Sequence, residues 1–104
     1  MNASKALYPL GKVKQIVEAV GMGVSYAHED LVFLEHNGFL LEFTDSDREI
    51  LVHLNSEGNE EELIETLIQL QHEAVSHGLQ FSEGCAYRLS EVDEENIRIE
   101  FLEN

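Results

Sequence analysis

Basic residues are scarce in this chain of 104: six Lys and Arg stand against 21 Asp and Glu, for a formal net charge of −15. A surface of that sign repels nucleic acid and anionic membrane and attracts basic partners. Cysteine occurs once, at Cys85, so no internal disulfide can form and a reducing cytoplasm is the expected setting. No apolar run approaches the ~18 residues that span a bilayer. Met1-Asn2-Ala3-Ser4-Lys5 does not have the charged-then-apolar layout of a signal peptide. Glycine is spread thinly and proline occurs once, which leaves no low-complexity linker and implies a single domain over residues 1–104. Disorder is excluded despite the charge, because 43% of the residues are hydrophobic.

The motifs of common chemistries are missing as well. There is no HExxH, no Walker loop and no GxGxxG. Of the five histidines, His72 and His77 lie five apart, too far round a helix to share a metal, and the others are scattered. The run Asp45-Ser46-Asp47-Arg48-Glu49 has the alternating acids of a calcium loop. It lacks the central glycine, and Ser56 falls where the bidentate glutamate belongs, so it reads as a charged turn. Cys85 has no neighbouring base in Ser82, Glu83 or Gly84, and an acidic surround raises a thiol pKa, so it reads as a packing or surface thiol. The sequence therefore assigns no catalytic residue, no metal ligand and no cofactor.

What is present is a strong pattern of secondary structure. Leu10, Val13, Ile16, Val17 and Val20 form one stripe after Pro9, predicting a helix that stops at Gly21. Asn37-Gly38, between Leu31–His36 and Phe39–Thr44, predicts a two-residue hairpin that pairs His36 with Phe39, Leu34 with Leu41 and Val32 with Phe43. A turn at residues 45–48 would pair Thr44 with Glu49. Both turns then place Val32, Leu34, Phe39, Leu41, Phe43, Ile50, Val52 and Leu54 on one face. A further strand at Val24–Ala27 is weakly signalled.

Asn59 with Glu62 three residues on is a capping box opening a long helix, with Glu60, Glu61 and Glu62 at the positive end of its dipole. Leu63, Leu67, Leu70 and Ala74 line one face of that helix, Ile64, Ile68 and Val75 flank it, and Gly78 stops it. Cys85–Glu91 and Ile97–Leu102 complete the chain as a hairpin that pairs Leu89 with Ile99 and Tyr87 with Phe101. Tyr87, Leu89, Ile97, Ile99 and Phe101 would then face the core. The class implied is α+β: helix, three strands, helix, two strands, with helices packed on a largely antiparallel sheet.

Two features point towards partners. The second face of the sheet carries Leu31, Phe33, Leu40 and Leu51 among Glu35, Glu42, Thr44, Glu49 and His53. Four large apolar side chains are more than a solvated face usually shows, so they are the candidate protein-binding residues. The charge is also divided unevenly. Residues 1–20 hold three Lys and one Glu, and residues 21–104 hold three Arg and twenty acids. The basic N-terminal region, with Lys5, Lys12 and Lys14, is expected to lie against the acidic body or that of a partner subunit.

The element order and acidity, from Pro9 to Leu102, resemble the type III secretion chaperone-like fold and its relatives. That resemblance implies a homodimer that binds other polypeptides without ATP. It departs from the pattern at Asn104, where the C-terminal helix of many members does not follow. The leading expectation is a non-catalytic, cytoplasmic protein-binding module of chaperone or adaptor type, homodimeric, with no cofactor, nucleic acid or membrane among its partners. The alternatives are an acidic inhibitor, immunity or mimic protein that binds a basic enzyme, and a small metal-binding or enzymatic domain that uses His and carboxylates brought together by folding.

Overall fold

In the computed structural model, which describes residues 9–35, 38–94 and 96–102, two helices and seven strands follow in the order α1 (Leu10–Ala19), β1 (Val24–His28), β2 (Leu31–Leu34), β3 (Phe39–Phe43), β4 (Glu49–Leu54), α2 (Glu60–Val75), β5 (Gln80–Glu83), β6 (Ala86–Glu91) and β7 (Ile97–Leu102). The first five strands form one sheet in the order β1-β2-β3-β4-β5, antiparallel except for the parallel pair β4–β5. The last two form a separate hairpin. The class is α+β, as the patterning implies, with two more strands than expected: the weakly signalled β1 and the unforeseen β5.

Both helices bury one stripe on the same face of the sheet. Val13, Ile16 and Val17 of α1 and Leu63, Leu67, Leu70 and Ala74 of α2 pack with all eight strand residues assigned to the inner face. Each buried Val, Leu or Ile contributes ~1.5–3 kcal/mol. Both helices end in the same way. After α1, Gly21 takes φ +95°, its N–H donates to Glu18 C=O, and Met22 N–H donates to Val17 C=O. After α2, Gly78 takes φ +76°, its N–H donates to Val75 C=O, and Leu79 N–H donates to Ala74 C=O. This is the Schellman closure, which satisfies carbonyls the helix leaves open and favours glycine at positive φ. At the start of α2 the Asn59 side chain accepts from Glu62 N–H at 3.1 Å.

The β3–β4 register is as expected, with Phe39 opposite Leu54 and Phe43 opposite Ile50. The β2–β3 register is not. Val32 pairs with Leu41 and Phe33 with Leu40, two residues away from the pairing a two-residue Asn37-Gly38 turn would set. The connection is therefore longer. Glu35 N–H donates to Gly23 C=O beside β1, and Gly38 C=O accepts from Asn55 N–H beside β4, so these loop ends are held by outer neighbours rather than by each other. A slip of two leaves every side chain on the same face, which is why the apolar pattern cannot detect it. The expected pairing of His36 with Phe39 lies outside the described residues.

The register of the β6–β7 hairpin is as expected, Tyr87 opposite Phe101 and Leu89 opposite Ile99. Its core face is not. Tyr87 is buried, Leu89 and Ile99 are half-buried, and Ile97 and Phe101 are 65% and 42% exposed. The hairpin joins the main sheet only near its open end, where Asn55 bridges Tyr87 and Ser56 N–H donates to Tyr87 C=O. Ile97 pairs with Glu91 at the turn end of the hairpin and stays largely open to solvent.

Lys12 and Lys14 do not lie against carboxylates of their own chain among the described residues. Both are exposed. Docking the Val13/Ile16/Val17 stripe turns them to solvent. Lys5 lies outside the described residues.

Candidate functional site

The outer face of the five-stranded sheet is organised as cross-strand rows. Tyr26 pairs with Phe33, Phe33 with Leu40, and Leu40 with His53, giving one row across β1 to β4. A second row runs His28, Leu31, Glu42, Leu51 and Ser82 across β1 to β5. Burial falls steadily along the first row. His53 and Leu40 are 3% and 1% exposed, Phe33 is half-buried, and Tyr26 is 57% exposed.

The hairpin produces this gradient. At the buried end the Phe101 ring lies 4.7 Å from the His53 ring, tilted by 57°. The backbone at Gly84 presses so closely on the same imidazole that a Cβ there would lie 2.5 Å from it. His53 is a clasp between sheet and hairpin. Its Nε2 lies 2.9 Å from Glu42 Oε1, and its Nδ1 lies 3.0 Å from Cys85 N and 3.1 Å from Cys85 O. In the neutral Nε2–H tautomer, Nε2 donates to Glu42 and Nδ1 accepts from the Cys85 N–H. Next to it Tyr87 is buried, and burial pushes its phenol up to about 12 while a hydrogen bond with Asn55 pulls the other way.

This arrangement is unsuited to acid–base catalysis. Both ring nitrogens of His53 are committed to protein partners, so neither faces a substrate. The Cys85 thiol is exposed, and the imidazole engages the Cys85 backbone rather than its sulfur. Among the described residues, no three His, Cys, Asp or Glu side chains converge as metal ligands. The Asp45–Glu49 segment is a hairpin turn: Thr44 Oγ1 donates to Glu49 C=O at 2.9 Å and accepts from Ser46 N–H at 3.1 Å.

At the open end of the row the side chains are of another kind. Tyr26 stacks on His28 with ring centroids 6.1 Å apart and leans on Phe33 at 6.0 Å. Of the four candidate binding residues, Leu31, Phe33 and Leu51 are half-buried on this face. Leu40 belongs to the protein's own interior. Tyr26 and His28, which sequence reasoning did not assign to the face, are its most open members. Their place follows from pairing β1 to β2, and β1 was too weakly signalled to supply it. Compared with protein-family models, with curated proteins and with solved structures, the chain gives no match.

Proposed function

We propose that the chain is a non-catalytic protein-binding module of chaperone or adaptor type, acting in the cytoplasm on a polypeptide partner or on a second copy of itself. The observation that carries this reading is the half-roofed outer sheet face. The hairpin covers the His53 end and leaves Tyr26, His28 and Phe33 as an aromatic shoulder next to Leu31 and Leu51. Aromatic groups with one polar end are the side chains that protein interfaces favour. Glu29 follows His28 in the β1–β2 turn and Glu42 lies between Leu31 and Leu51, so carboxylates accompany the shoulder.

The test combines mass and capture. Light scattering at high concentration reports self-association, and co-purification from native lysate reports a partner. Tyr26→Glu should abolish whichever association is seen without lowering the melting temperature. A strict monomer that captures no polypeptide would sink the proposal.

A second reading, an acidic inhibitor or mimic of a basic enzyme's ligand, is favoured by a separate observation. Arg88–Glu100, at 2.7 Å, is the one carboxylate pair with Arg or Lys among the described residues, in a chain with 21 acids. That leaves a large negative field for a cationic partner. Affinity for such a partner should fall steeply with salt, and salt-indifferent binding would remove this reading.

A further inference from the structure

The two edges of the five-stranded sheet are β1 and β5. Among the described residues no strand pairs with the outer edge of β5, which lies beside α2. Gln80 N–H donates to Arg48 C=O and Gly84 N–H donates to Val52 C=O, so even-numbered residues of this segment point their backbone groups at β4. In a strand the groups alternate, so Phe81 presents its N–H and C=O to the open edge. Gln71 of α2 reaches across and donates Nε2–H to that Phe81 C=O at 3.0 Å. Gln71 belongs to the stripe Ile64, Ile68, Gln71, Val75, spaced i, i+4, i+7, i+11 on one flank of α2. Its apolar members are 39%, 50% and 74% exposed. The hydrogen bond from Gln71 turns the Gln71–Val75 end of this flank towards the β5 edge, while Ile68 borders Ala19 and Val20 of the α1 end. Gln71, Val75 and Leu79 on one side and Gln80, Phe81 and Ser82 on the other form a groove.

A groove with main-chain donors and acceptors on one wall and apolar side chains on the other is built for an extended strand: the edge supplies backbone pairing, and the helix supplies seats for alternate side chains. Charge selects the occupant. From Glu49 to Tyr87, the stretch that builds β4, α2 and β5, there are eight Glu and no Lys or Arg. Glu60 and Glu61 extend the Ile64/Ile68 stripe by one helical turn, and Glu83 ends β5. A second copy docked through the same groove would bring the same carboxylates and be repelled.

We propose that the groove between α2 and the β5 edge binds an extended, basic polypeptide segment as an added strand, with apolar residues against Val75 and Leu79 and lysine or arginine towards Glu83 and the glutamates of α2. Gln71 is the gate of this site. It occupies the Phe81 carbonyl until an incoming strand N–H replaces it. The inference takes the protein-binding reading as its basis but uses a different surface from the Tyr26 shoulder.

The experiment is an NMR titration of the full chain with a synthetic seven-residue peptide of alternating lysine and valine, followed at backbone amides and methyl groups. The expected result is shifts at Phe81 and Glu83 amides and at Val75 and Leu79 methyls. Affinity should fall on the order of tenfold in Val75→Gln, a position open enough to leave the fold intact. Gln71→Ala should bind about threefold more tightly, because the Phe81 carbonyl is then free. A glutamate–valine peptide should not bind. Shifts at Tyr26 and Phe33 in place of the groove would overturn this proposal and leave the protein-binding reading standing. Groove shifts on concentrating the protein alone would assign the site to a second copy and overturn the basic occupant. Equal binding of the glutamate peptide, or no groove shift with the lysine peptide, would also overturn it.

Discussion

The two faces of one sheet have opposite fates in this molecule. The inner face is sealed by two amphipathic helices whose apolar stripes match it residue for residue, and its eight side chains are all buried. The outer face has fewer large apolar groups, five against eight, and among the described residues a two-stranded hairpin covers its His53 end. Inner-face packing is non-directional and fills space. Outer-face attachment runs through a few directional contacts: the Cys85 backbone on His53, Ser56 N–H on Tyr87 C=O, and Phe101 on the His53 ring. Apolar pattern alone thus does not decide whether a face becomes core. The number and reach of the elements available to roof it decide.

Substitutions can sharpen that contrast, the largest effect coming from the sealed face. Leu70→Ala removes a fully buried side chain beneath the sheet and should cost ~2–5 kcal/mol in a urea titration. A loss below 1 kcal/mol there would mean the two faces are not distinct after all. Gly84→Ala strikes the clasp. Its Cβ would meet the His53 ring, so the hairpin or the ring must shift at a cost of ~1–3 kcal/mol. Amide exchange should show protection lost in β6 and β7 first and retained in β3 and β4.

Tyr87 gives a pH handle on the same junction. Its folded-state pKa is raised to about 12 from an unfolded value of 10, so the folded state holds the proton more tightly. The stability this contributes is present below pH 10 and is lost as pH rises through about 12, by roughly 2–3 kcal/mol. Tyr87→Phe should flatten the stability profile across that window. Smallest in stability is Tyr26→Ser on the open shoulder, within ~0.5 kcal/mol of the parent by thermal melt. If the shoulder is the working surface, that same substitution should reduce partner capture severalfold.

Much of the fold was legible because local signals agreed. The Leu63/Leu67/Leu70/Ala74 stripe, the Asn59 cap and the Gly21 and Gly78 stops each rest on residues within one helix. The β3–β4 and β6–β7 registers rest on short turns between strong strands. What was hidden depends on distant neighbours. β5, with the sequence Gln80-Phe81-Ser82-Glu83, has one apolar residue and exists because β4 offers a parallel edge. β1 enters β2 through Glu29-Asp30, with Glu29 at φ +56°, and glutamate is not a residue that announces such a turn. The candidate site was half legible. Leu31, Phe33 and Leu51 lie on the second face as read, but the pairing that adds Tyr26 and His28, and the roof that removes Leu40, are both tertiary.

The parallel pair β4–β5 also sets an order of assembly. Strands β1 to β4 form a meander in which each partner is the next element along the chain, so they can zip from their turns. Glu49 meets Ser82 across 33 residues, at 2.9 Å from Oε2 to Oγ, and that closure waits for α2 to span the gap. The last third of the chain should therefore dock onto a scaffold already formed. In stopped-flow kinetics Phe81→Leu should speed unfolding and leave the folding arm of the chevron unchanged, whereas a slowed folding arm would put β5 in the nucleus.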